Sequence, residues 1–110
     1  MAGFYSEVFN TFKQIEMDLK SLLSQPNAKI VDVREPWEYG AGHVEGSVNI
    51  PLGQIQQELE TFKGMDRPLI LICQSGNRSG MATQFLKAQG LEEVYNGGGW
   101  AAVNELKVSL

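Results

Sequence analysis

Hydrophobic positions along the chain fall into short blocks that alternate between helical and extended spacing. Val8, Phe12, Ile15, Leu19 and Leu22 step by four, three, four and three residues. That spacing predicts an amphipathic helix over residues 6–23, or a short strand at residues 12–15 followed by a helix from Met17. Gln25, Pro26 and Asn27 end either one. Residues 29–33 are compact and β-branched and predict a buried strand, and residues 48–50 a shorter one stopped by Pro51. Leu52, Ile55, Leu59 and Phe62 recur at helical spacing. Leu69, Ile70, Leu71 and Ile72 are uniformly apolar, as a central parallel strand buried on both faces should be. Met81, Ala82, Phe85 and Leu86 predict a helix stopping near Gly90. Val94 and Tyr95 predict a last short strand. Gly97, Gly98 and Gly99 then lead into a final helix at residues 101–106.

Strands alternating with helices imply an α/β domain with a mostly parallel sheet. In such sheets ligands bind beyond the carboxyl ends of the strands. Cys73 stands at that end of the most apolar strand, so the one reactive side chain falls where a site is expected.

Composition narrows the chemistry. The 110 residues suit one domain, and 43% hydrophobic residues is ordinary for a folded core. A net charge of −4 with no basic tract argues against nucleic acid and anionic membranes as partners. One cysteine allows no internal disulfide, and one cysteine with one histidine cannot make a structural zinc site. No run approaches the roughly 20 apolar residues of a membrane span. Residues 1–10 lack the basic-then-apolar pattern of a secretory signal, so a cytoplasmic location is expected.

The segment Cys73, Gln74, Ser75, Gly76, Asn77, Arg78, Ser79 joins the apolar strand to a helix expected to begin near Ser79. Backbone N–H groups of a tight loop can converge on an anion, and the helix start adds its positive end. Gly76 supplies backbone freedom and Arg78 a permanent cation. Each favours thiolate over thiol, the form that is nucleophilic. A lone cysteine closing an apolar strand is also often a small buried hydrophobe. The Gly, Arg and Ser that follow do nothing obvious for a core.

This loop resembles the active-site loop of the rhodanese family, sulfurtransferases that work through a cysteine persulfide. Three more segments match in order. Residues 30–35, IVDVRE, resemble the family's D-x-R strand end. Residues 42–51, GHVEGSVNIP, resemble its GHIxGAxNIP segment. Residues 97–100, GGGW, resemble its closing glycine turn. The resemblance covers residues 15–107.

It implies a rhodanese-like α/β fold, with five mostly parallel strands and helices on both faces. It favours the strand reading of residues 12–15. Residues 1–11 then form a helical N-terminal extension and residues 12–110 the domain. It implies Cys73 as the nucleophile, with Gln74, Ser75, Gly76, Asn77, Arg78 and Ser79 as the substrate-binding cradle. From their place at a strand end near the site, Asp32 and Arg34 are expected to be a structural ion pair or loop brace, with substrate contact as the alternative. No metal or organic cofactor is implied. The expected partners are a small-molecule or protein-bound sulfane-sulfur donor and an external thiol acceptor, since no second cysteine can resolve a persulfide. His43 is expected to fix a loop, Trp37 and Trp100 to be core or pocket wall, and Glu58, Glu60, Glu92 and Glu93 to be surface.

Two alternatives accompany this reading. One is a non-catalytic rhodanese-like binding or sulfur-carrier module. The other is a cysteine-dependent phosphatase or arsenate reductase, which the family's fold also serves with a C-x5-R loop. Here Arg78 makes the loop C-x4-R, a smaller ring than a phosphoryl group needs. Thiosulfate enzymes of the family carry cations where this chain has Gln74, Ser75 and Glu38. A neutral or protein-bound persulfide therefore fits better as donor.

Overall fold

A computed structural model describes residues 19–110. Residues 19–23 are helical, which agrees with both readings of that region. The strand expected at residues 12–15 and the extension at residues 1–11 lie outside the described residues. Four parallel strands follow: β1 (Lys29–Asp32), β2 (Val48–Asn49), β3 (Leu69–Cys73) and β4 (Val94–Gly99), in sheet order β2-β1-β3-β4. The helices are α1 (Pro36–Ala41), α2 (Leu59–Lys63), α3 (Asn77–Ala88) and α4 (Trp100–Val108). The described sheet thus has four strands where five were expected.

All five residues of β3 are buried. Side chains alternate across a strand, so β3 feeds two cores. Leu69, Leu71 and Cys73 join Val31, Phe62, Ala82 and Leu86 on the face covered by α2 and α3. Ile70 and Ile72 join Leu23, Val44 and Val103 on the opposite face, covered by residues 19–23 and α4. Helices therefore flank both faces, as the alternating pattern requires.

Two expected elements differ. The apolar spacing from Leu52 to Phe62 does not make one helix. A 3-10 turn at Leu52–Gln54 and further turns precede the short α2. Ile55 and Phe62 are buried all the same, because successive helical turns keep the same periodicity. The last strand also does not stop at Tyr95 but runs through the glycines to Gly99. A Cβ on Gly97 would stand 2.7 Å from Ile70 Cγ2 and 2.9 Å from Ile72 Cγ2. Glycine is what lets β4 lie flat on β3 there. The register slips at this point, Leu71 pairing with Asn96 and Ile72 with Gly98, a bulge that turns β4 toward the end of β3.

β1 and β3 are neighbours, with Asp32 beside Ile72. The chain leaves β1 toward β2 and leaves β3 toward β4, in opposite directions. The crevice of a parallel sheet opens at such a switch point. Both the D-x-R turn and Cys73 lie at its carboxyl end.

Candidate active site

Cys73 closes β3 and is only 1% exposed. Gln74 and Ser75 lead outward, and Gly76 turns the chain into α3 with φ of 96°. That left-handed conformation favours glycine, and an added Cβ would also sit 3.3 Å from Gly98 Cα. The helix starts at Asn77, two residues earlier than expected, which brings Ser79 into its first turn.

The donors around the sulfur follow from this geometry. Gly76 N–H donates to Cys73 Sγ at 3.0 Å and Ser79 N–H at 3.4 Å. Ser79 Oγ lies 3.3 Å from the same sulfur. Burial pushes the thiol up, but hydrogen bonds from the Ser79 hydroxyl and from the backbone of Ser79, Ser75 and Gly76 outweigh it, leaving Cys73 below its ordinary value. The recorded hydrogen bonds to the resting sulfur thus come from Gly76 and Ser79, two of the six residues from Gln74 to Ser79 expected to form the cradle. Asn77 is exposed at the helix start.

Ser79 is buried and tied to a residue that the sequence pattern did not single out. Its hydroxyl donates to Asn96 Oδ1 at 2.7 Å. Asn96 Oδ1 also accepts Gly98 N–H at 3.0 Å, and Asn96 Nδ2 donates to the Gly76 carbonyl at 3.1 Å. One amide thus fastens the cysteine loop to the bulge of β4. A lone amide side chain entering a glycine run on the neighbouring strand was the available signal.

Arg78 already has a carboxylate partner across the loop mouth. Its guanidinium makes a bidentate pair with Glu38, NH1 to Oε1 at 2.7 Å and NH2 to Oε2 at 2.9 Å. Glu38 also accepts the Glu35 N–H at 3.0 Å, completing a capping box at the start of α1. The Arg78 bond, then the Glu35 N–H, hold the Glu38 carboxyl at about 2. Arg78 is therefore compensated and is not a free anion clamp.

Asp32 and Arg34 are buried at 0% and 2% exposure and form their own pair. Arg34 Nε and NH2 donate to the Asp32 carboxylate at 2.7 to 3.0 Å, and NH2 also reaches the Gly42 carbonyl at 2.7 Å. Asn49 Nδ2 donates to the carbonyls of Asp32 and Arg34 at 2.9 and 2.8 Å. These residues brace the end of β1. His43 stacks on Tyr39 at 3.8 Å and bonds the Tyr39 carbonyl at 2.8 Å through Nδ1, a loop brace as well.

Beside the loop a groove of about 390 Å³ is lined by Arg34, Trp37, Glu38, Gly42, Gln74 and Trp100. The Arg34 guanidinium lies 4.7 Å over the Trp100 ring, and Trp100 Nε1–H donates to Gln74 Oε1 at 3.3 Å. Gln74 is thus turned to the groove wall. Trp37 is 77% exposed and is wall rather than core. Among the described residues no cluster of three or more His, Cys, Asp or Glu could hold a metal, and no helix is long and apolar enough to cross a membrane.

Comparisons with known proteins give the family. The chain is 45% identical over 69 residues to the uncharacterized protein YqhL of Bacillus subtilis, a match covering 63% of this chain and 54% of YqhL. It is 33% identical over 101 residues to the thiosulfate sulfurtransferase GlpE of Shewanella oneidensis, covering 87% of this chain and 96% of that protein. Among solved structures, a rhodanese with anions from E. coli superposes with a TM-score of 0.60 at 31% identity, covering 67% of this chain and 88% of that one. The family model for the rhodanese-like domain matches residues 17–106, and the chain belongs to that family.

Proposed function

We propose that the domain is a sulfurtransferase that carries sulfane sulfur as a Cys73 persulfide. The ring of hydrogen-bond donors on the Cys73 sulfur carries this reading. The thiolate attacks the sulfane sulfur of a donor. A bond forms from Cys73 Sγ to that sulfur, and the sulfur's bond to the leaving group breaks with its electron pair. The outer sulfur of the persulfide then holds the negative charge, which the loop N–H groups stabilise. An external thiolate or cyanide attacks this outer sulfur, and the Cys73 thiolate is the leaving group. The exchange is covalent ping-pong chemistry and requires no metal or organic cofactor.

The acceptor is external because the chain has a single cysteine. A reducing compartment such as the cytoplasm supplies thiols for that step. The donor is a small-molecule or protein-bound persulfide, or another sulfane-sulfur compound, entering along the groove beside Gln74 and Trp100. The four-residue spacing from Cys73 to Arg78 suits one sulfur atom better than three phosphoryl oxygens.

The test is sulfur transfer to cyanide, read as thiocyanate, with several sulfane donors. Saturable turnover by the natural chain that is lost in Cys73→Ser is the expected result. Turnover that survives the substitution overturns the assignment of Cys73. Absence of turnover with every donor, and with thiol acceptors as well, favours a binding module.

A further inference from the structure

Among the described residues, both cations at the groove mouth already have a carboxylate partner. Arg34 is spent on Asp32 and the Gly42 carbonyl. Arg78 is spent on Glu38 through both of its terminal nitrogens. The remaining polar groove residue, Gln74, is neutral and bonded to Trp100, and exposed Ser75 beside it is neutral as well. Trp37 and Trp100 supply aromatic walls. A dianion entering here finds, among the described residues, no guanidinium that is not already paired with a carboxylate. It can reach the remaining N–H donors of Arg78 only beside the Glu38 carboxylate, so two anions compete for one cation.

From this arrangement we infer that Glu38 is a specificity-determining residue: it occupies Arg78 and selects for sulfur donors of low charge with an organic body, against small dianions. The inference rests on the persulfide reading of Cys73. Glu38 is well placed for such a filter because its orientation is imposed twice. The capping box aims it from α1, and the bidentate pair fixes it across the loop mouth. A bidentate guanidinium–carboxylate pair is also geometrically demanding, so a tetrahedral dianion does not simply share it.

The experiment compares two donors that deliver sulfur by the same chemistry. Thiosulfate is a dianion that releases sulfite, and an aryl thiosulfonate is a monoanion that releases a sulfinate. The readout is the ratio of kcat/KM for thiosulfate over the thiosulfonate, with cyanide as acceptor, in the natural chain, Glu38→Gln and Arg78→Gln. Glutamine keeps an acceptor for the Glu35 N–H, so Glu38→Gln removes the charge and keeps the cap. The ratio is expected to rise about tenfold in Glu38→Gln, mainly through a lower KM for thiosulfate. The gain shrinks at high salt. In Arg78→Gln the carboxylate is left alone at the mouth, and the ratio is expected to fall. A ratio unchanged in both variants while both donors load Cys73 overturns the role of Glu38 and leaves the persulfide reading standing. Failure of both donors to load Cys73 in all three proteins overturns the persulfide reading and this inference with it.

Discussion

Replacing Ser79 by alanine tests how the cysteine is activated. Ser79 Oγ stands 3.3 Å from Cys73 Sγ and 2.7 Å from Asn96 Oδ1, and a hydroxyl has one proton. With Cys73 protonated, the thiol can donate to Ser79 while Ser79 donates to Asn96. With Cys73 ionised, the hydroxyl must turn to the sulfur, leaving Asn96 Oδ1 with the Gly98 N–H alone. A hydrogen bond to a charged group is worth about 1.5–3 kcal/mol and a neutral one about 0.5–1.5. The net gain for the thiolate is the difference, on the order of 1 to 1.5 kcal/mol, or about tenfold in the thiol–thiolate equilibrium. Alanine removes a donor that favours the charged form, so the thiol pKa rises. Below that pKa, alkylation at a fixed pH slows up to about tenfold. The Gly76 and Ser79 N–H donors stay in place and go on opposing the effect of burial. The assay is the pH dependence of iodoacetamide alkylation of Cys73 in both proteins. A pKa unchanged or lowered by Ser79→Ala refutes the reasoning, because the hydroxyl proton would then belong to Asn96 in both states.

Three other variants probe the frame and the mouth. Arg34→Met strands the buried Asp32 carboxylate, and about 3–5 kcal/mol of stability should be lost in urea unfolding; a loss under about 1 kcal/mol would contradict the brace. Gly97→Ala drives a methyl into Ile70 and Ile72 and should cost about 1–3 kcal/mol, whereas unchanged stability would mean that β4 moves freely off β3. Gln74→Arg with Ser75→Lys should lower the KM for thiosulfate about tenfold or more and affect a neutral persulfide donor less. Equal KM values in the parent and double variant would remove charge at the mouth as the limit.

Much of the central sheet and loop could be read from local pattern. β3 is legible because five consecutive buried residues leave no polar alternative, and Cys73 marks its end. The Asp32–Arg34 brace is legible because the partners are two residues apart. The rest depends on contacts between distant segments. Glu38 and Arg78 are 40 residues apart, and the family resemblance marked position 38 as a missing cation rather than half of a pair. Asn96 became relevant only once the bulge in β4 aimed it at Ser79. The glycine run at residues 97–99 has the composition of a turn. Only the absence of room beside Ile70 and Ile72 explains why it extends the strand. The spacing from Leu52 to Phe62 matched a helix because chained helical turns bury the same positions.

The most direct test of the account is the intact mass of the protein after incubation with a sulfane-sulfur donor and removal of excess reagent. The account predicts a gain of one sulfur atom on the natural chain, reversed by a thiol reductant and absent in Cys73→Ser. A natural chain that stays unmodified across thiosulfate, an aryl thiosulfonate and a persulfide donor, or a gain that persists in Cys73→Ser, would contradict it.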